Sequence, residues 1–192
     1  MVVSRWAMLT AVFVLTAGDA SAQAPENTAQ LIAAQKVAMA PLSMMDGVWR
    51  GPASTVLQSG AKAEIVQTER VGPFLDGSVK VLEGRGYNAD GSVGFNALGI
   101  ISFEPSTKAY TMHSYAEGHS GDFRLQLTPD GFAWEIHAGP TTLRYSAVIA
   151  NGTWHEFGDR IMPGRSPVRI FDMKLERVGD TTWPSAGAIP IK

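Results

Sequence analysis

The sequence predicts an all-β protein: a closed antiparallel meander β-barrel of about ten strands, preceded by one N-terminal helix. Three observations predict it. From Val48 onward, short apolar runs alternate with polar positions at the period of a strand, with no long helical stretch between them. Tight-turn chemistry separates the runs: QSGA, FLDG, NADGS, EPSTK, EGHSG, PDG, AGP, NG and MPGRSP. No helices are left over to cover a flat sheet, so a meander of this size buries one face by closing on itself, which also removes its edges. A barrel of about eight to ten strands is wide enough to hold a small ligand. A two-sheet sandwich is the alternative, and hairpins throughout the chain disfavour it.

Residues 1–22 read as a signal peptide. Arg5 supplies a positive charge, Trp6 to Ala17 form an apolar run, and Ala20-Ser21-Ala22 offer small residues for cleavage near Ala22. The run is about half the length that spans a bilayer, and no later segment is long and apolar enough to span one. The expected location is periplasmic or secreted. The absence of cysteine rules out zinc–thiolate sites, thiol chemistry and a lipid-acylated N-terminus, and leaves stability to the core. A net charge of −2 provides no electrostatic attraction to nucleic acid or to an anionic membrane surface.

Residues 23–46 form a lead-in and the helix. Asn27 or Thr28 caps a helix through Met39, with Leu31, Ala34, Gln35 and Ala38 as a weakly apolar stripe. Pro41 interrupts it, and a second turn at Leu42 to Met45 leads into DGVWRG, Asp46 to Gly51. The barrel spans residues 47–180, and residues 181–192 are a C-terminal tail. The expected strands are 48–58, 62–71, 77–85, 93–104, 109–116, 121–128, 132–138, 142–150, 153–161 and 167–178.

Three turns predict pairing. Asn151-Gly152 is a two-residue hairpin signal that sets Ile149 against Trp154, Ala147 against Glu156 and Arg144 against Asp159. Taking Asp130-Gly131 as a second such turn sets Leu127 against Trp134 and Leu125 against Ile136. Around Pro105 to Lys108, Phe103 meets Tyr110, Ile101 meets Met112, and Ile100 meets His113.

Gly47-Val48-Trp49 at the start of the first strand resembles the lipocalins and other calycins. The resemblance implies that Trp49 plugs one end of the barrel and that Arg177 lies over its indole. With Gly51 the motif also resembles nitrobindin, a haem-binding barrel, although that family's axial histidine lies near the C-terminus and this chain has none after His155. A broader resemblance covers Pro41 to about Pro184. TERVGPFLDG, FNALGIISFEPSTKAYTMHSYAEGHSGDF, DGFAWEI, LRYSAVIANGTWHEFGD and FDMKLERVGDTTWP are similar to a bacterial domain-of-unknown-function family, number 1579, which is lipocalin-like in form and has no established activity.

The candidate ligand-binding residues are His113, Tyr115, Trp134, Arg144, Tyr145, Trp154 and Glu156. His113 and Tyr115 share a face of the fifth strand, and apolar Leu98 and Ile100 opposite them point to an interior position. Arg144 opposite Asp159 reads as a cross-strand ion pair; inside a lumen it would instead hold a carboxylate. Glu156 shares its face with Trp154 and Tyr145, and is a buried carboxylate with a raised pKa if that face is inside. Either Glu69 or Arg70 points inward. No nucleophile elbow, phosphate-binding loop or metal-ligand spacing occurs, and no cofactor is expected.

The function expected is binding of a small, mostly apolar molecule in the lumen, with no nucleic-acid partner. An isomerase, cyclase or hydratase in the same barrel is the alternative. A haem barrel and a cell-envelope interaction module are further readings.

Overall fold

The structure, a computed structural model, describes residues 28–57 and 59–183. The expected signal peptide, most of the lead-in and the end of the tail lie outside these residues. The protein is a closed ten-stranded antiparallel meander barrel with one N-terminal helix. Helix α1 (Thr28–Met39) runs into a 3-10 turn, Ala40–Met45. The strands are β1 (Gly47–Val56), β2 (Lys62–Phe74), β3 (Val79–Tyr87), β4 (Val93–Glu104) and β5 (Ala109–Ala116). They continue with β6 (His119–Thr128), β7 (Gly131–Ala138), β8 (Thr141–Ala150), β9 (Thr153–Ile161) and β10 (Val168–Gly179). Each strand pairs with its sequence neighbours, and β10 returns to β1, with Ala53 opposite Met173 and Thr55 opposite Phe171.

The first end of the barrel is closed by apolar packing. Leu42 and Met45 of the 3-10 turn are fully buried beside Trp49, Val71, Ile101, Leu125 and Leu175. The Trp49 indole N–H donates to the Met45 carbonyl at 2.9 Å, and its ring meets Trp154 edge-on at 5.8 Å. Helix α1 flanks this end and buries only Met39 of its own side chains. It is tied on by the Tyr110 hydroxyl, which donates to the Ala38 carbonyl at 2.6 Å. Lys80 points into the same end and forms a buried ion pair with Asp46, which joins β3 to the exit of the 3-10 turn. The closed end therefore holds together through a satisfied polar link as well as apolar burial.

Arg177 does not lie on the Trp49 indole. It is the ladder partner of Trp49, but a bulge between Val48 and Trp49 shifts the register there. Its guanidinium donates to the Asp46 carbonyl at 3.4 Å and to Asp180 at 2.5 Å, directly above Gly47. The carbonyl at the end of the 3-10 turn and a neighbouring carboxylate satisfy more of its donors than an indole face would. The start of the tail also packs: Trp183 stacks under the Arg70 guanidinium at 4.0 Å and meets Phe74 edge-on at 5.7 Å.

The hairpins at Asn151-Gly152 and at residues 105–108 have the expected registers, with Ile149 opposite Trp154 and Phe103 opposite Tyr110. Asn151 and Gly152 both take positive φ, as that turn requires. The β6–β7 hairpin differs by two residues: Leu125 pairs with Trp134 and Leu127 with Phe132. Its turn residues are Pro129 and Asp130, while Gly131 is already in β7. Proline suits the first central position of such a turn and glycine the position after it.

Gly131 serves a close approach. A Cβ there would collide with the Ala147 carbonyl oxygen and lie 2.7 Å from its carbon, both rigid backbone atoms of β8. Gly131→Ala is expected to cost about 1–3 kcal/mol, read as a lower urea midpoint at unchanged slope. A variant with wild-type stability would refute this account of the glycine.

Candidate functional site

The pleat and the ladder together decide which side chains enter the barrel. Trp49 is inside, so its β2 partner Glu69 is inside as well, and Arg70 is outside. On β9 the inward set is Trp154, Glu156 and Gly158, all buried. Tyr145 on β8 and Trp134 on β7 are ladder partners on the inner face. Their rings stack at 4.3 Å with planes 11° apart. Phe123 meets Trp134 at 5.1 Å, and Phe171 meets Tyr145 at 5.9 Å. The result is a continuous aromatic wall above the closed end.

Much of this wall is only half-buried, although it points inward. Phe123, Trp134, Tyr145 and Phe171 all retain accessible surface, in contrast to the fully buried Trp49 and Trp154 below them. Side chains in a filled core lose nearly all of theirs. Partial exposure of an inward aromatic face is the sign of a space that side chains do not fill.

Two carboxyls share that inner face. Glu156 is 9 % exposed and accepts a hydrogen bond from the Trp134 indole N–H at 3.3 Å. Burial pushes its pKa up, and the N–H groups of Trp134 and Trp154 offset part of the rise. Glu69 accepts from the Gln67 side-chain amide at 2.7 Å. Burial pushes its pKa up to about 8, Gln67 pulls it down in part, and the charges of Glu156 and Glu83 raise it further. The two carboxyls are thus near enough to feel each other. Burial also raises the Tyr145 phenol, with a further push from Glu156. Neither Glu69 nor Glu156 has a salt bridge to a described residue, whereas Lys80 is neutralised by Asp46.

Glycine makes the room that the Glu69 and Gln67 side chains occupy. Gly84 is its ladder partner on β3, and a Cβ there would lie 2.7 Å from the Glu69 Oε1 atom. Gly86, two residues on, would place a Cβ 3.0 Å from the Gln67 side-chain oxygen. Two glycines alternating on one strand leave the inner face bare where the opposite strand carries Gln67 and Glu69.

Of the seven candidate residues, Trp134, Tyr145, Trp154 and Glu156 line the barrel together. His113, Tyr115 and Arg144 do not: all three are outside, which corrects the interior placement expected for the first two. Met112, between strand neighbours of opposite facing, is the inward residue of β5. His113 hydrogen-bonds Asp122 at 2.5 Å and meets the Tyr115 ring at 4.8 Å on the outer surface, where Tyr115 is half exposed. Arg144 has Asp159 as its ladder partner, as expected, but its ion pair is with Glu135 at 2.6 Å. Asp159 is taken by Arg169, also at 2.6 Å. Gln67 was not anticipated, and the bare G-x-G spacing of Gly84 and Gly86 is the signal that points to it.

A broad depression at the rim is lined by Asn96, Leu98, Tyr115, Glu117, His119 and Ser120. It is open to solvent and brings no buried polar groups together, so the inner carboxyls are the stronger site.

No family model matches the sequence, and no curated protein matches it. Among solved structures the chain is similar to the crystal structure of Rv2717c from M. tuberculosis, with a TM-score of 0.55 and 13 % identity. The similarity covers 73 % of this chain and 96 % of that one. At that identity the likeness speaks for the fold alone.

Proposed function

We propose that the barrel binds a small, mostly apolar molecule in its lumen, laid against Trp134, Tyr145 and Phe171 and oriented by Glu69, Gln67 and Glu156. The observation that carries this reading is the aromatic wall that faces inward yet keeps accessible surface. A mostly apolar pocket with a few convergent polar groups is the usual form of a small-molecule site. The lipocalin-like architecture is compatible with it. On sequence grounds we also place the chain with the domain-of-unknown-function family 1579 and outside the cytoplasm.

Native mass spectrometry of the protein purified from its own source tests both parts. The expected result is a polypeptide mass beginning at Gln23 and a bound species of a few hundred daltons released on activation. A chain retaining Met1 would overturn the export reading. A bare polypeptide at every concentration, with no uptake of apolar probes, would overturn the binding reading.

One observation favours a second reading, an isomerase, cyclase or hydratase. Glu69 keeps its proton to about pH 8, beside a second carboxyl, which is an arrangement suited to general acid and base roles. A carrier returns its guest unchanged after incubation; an enzyme does not.

A further inference from the structure

Three N–H groups are directed at the two lumen carboxyls. Gln67 donates to Glu69, and Trp134 donates to Glu156. The third is the Trp154 indole N–H. Trp154 is 2 % exposed, and its Nε1 atom has no hydrogen-bond partner among the described residues. It nevertheless lies close enough to Glu156 to favour the ionised carboxylate. A buried donor left unpaired is costly, and this one lies beside a buried carboxyl.

Donors of this kind stabilise a carboxylate over a carboxylic acid. The lumen is thus furnished with partners for ionised glutamates, while among the described residues no lysine or arginine pairs with either; Arg160, next on the inward face of β9, is exposed and bonds neither. Lys80, the buried lysine, is committed to Asp46 at the closed end. Arg70 and Arg85 are held by Glu83 on the outer surface. A charge in such surroundings is strongly disfavoured until an opposite charge joins it.

We infer that the lumen selects an organic cation: an apolar or aromatic body carrying a protonated amine, whose nitrogen sits between Glu69 and Glu156 beside the Trp134 and Tyr145 faces. This rests on the lumen being the binding site, as proposed above. The ammonium supplies the missing counter-charge. The aromatic rings supply the rest, since indole and phenol faces attract ammonium groups. A hard metal ion fits less well. Among the described residues no group of three or more carboxylate or imidazole side chains converges, and such ions take about six or more oxygen ligands.

The test is a matched pair of probes, 1-naphthylmethylamine and 1-naphthylmethanol, titrated by calorimetry at pH 7 into the wild type and the Glu69→Gln/Glu156→Gln variant. Both substitutions keep side-chain shape and leave a group that cannot ionise, and thermal melts confirm that the variant is folded. The amine is expected to bind wild type at least about tenfold more tightly than the alcohol, the scale of a charge-assisted contact. In the variant the ratio falls to about one. If both probes bind wild type equally, the cation inference is overturned and the apolar lumen stands. If neither binds, both fall. If calcium chloride alone binds wild type and competes with the amine, the site is a metal site and the organic cation is wrong.

Discussion

Raising the pH from 5 to 8 is expected to lower the unfolding free energy by roughly 2–4 kcal/mol, and Glu69→Gln to remove most of that loss. The sign follows from the proton inventory. In the folded barrel Glu69 keeps its proton to about pH 8, while in the unfolded chain it releases it near the ordinary glutamate value of 4.5. Between those values the folded state binds more protons, so stability falls as pH rises through the window. It is highest below about 4.5 and stops falling above about 8. Glu156 is raised by burial too and adds in the same direction. Asp90 and Glu104 act oppositely, because hydrogen bonds from Ser92 and Ser106 lower them, and their effect is confined to acid pH. Urea unfolding of both proteins at pH 5, 6, 7 and 8 measures the effect. Parallel profiles for wild type and variant would mean that Glu69 is not the buried carboxyl described.

Trp49→Ala is expected to cost about 3–5 kcal/mol at every pH in that range. The indole is 1 % exposed, stands edge-on to Trp154, and gives its N–H to the Met45 carbonyl. Truncation leaves a large void under the 3-10 turn and an unpaired carbonyl at the closed end. Neither loss involves a titrating group, so this change shifts the whole pH profile downward without altering its shape. Chemical denaturation gives the cost directly. A loss below about 1 kcal/mol would show that Leu42 and Met45 close the end without the tryptophan.

The two results point to a division within one lumen. The closed end, from Trp49 to Leu175, is packed, and its residues stabilise the fold. The level of Glu69 and Glu156 works against stability at neutral pH. Glu69→Gln is therefore expected to raise stability while reducing selectivity for a cationic guest. Opposite signs for fold and function are what a binding group costs when it is held in an apolar interior.

Much of the architecture was legible along the chain. Turn residues at Asn151-Gly152 and at residues 105–108 set their hairpins to the residue, because positive-φ turns and short loops leave few registers. Alternation also placed Trp154 and Glu156 on one face, with His155 on the other. The Pro129-Asp130 turn was missed because Asp-Gly is also a hairpin signal, and only the ladder, with Thr128 opposite Gly131, shows which pair turns.

By itself the sequence determined the strand order, the registers of two hairpins and which residues share a face, since all three follow from local period and turn chemistry. It could not say which face is inner where both are apolar. That was decided for His113, Tyr115, Arg144 and the Glu69/Arg70 pair by the pairing of β10 with β1, a contact between residues more than a hundred positions apart. The same closure brings Glu69 of β2 within electrostatic range of Glu156 of β9. Alternation has two solutions of equal local energy, and only burial of one of them in the closed barrel distinguishes them.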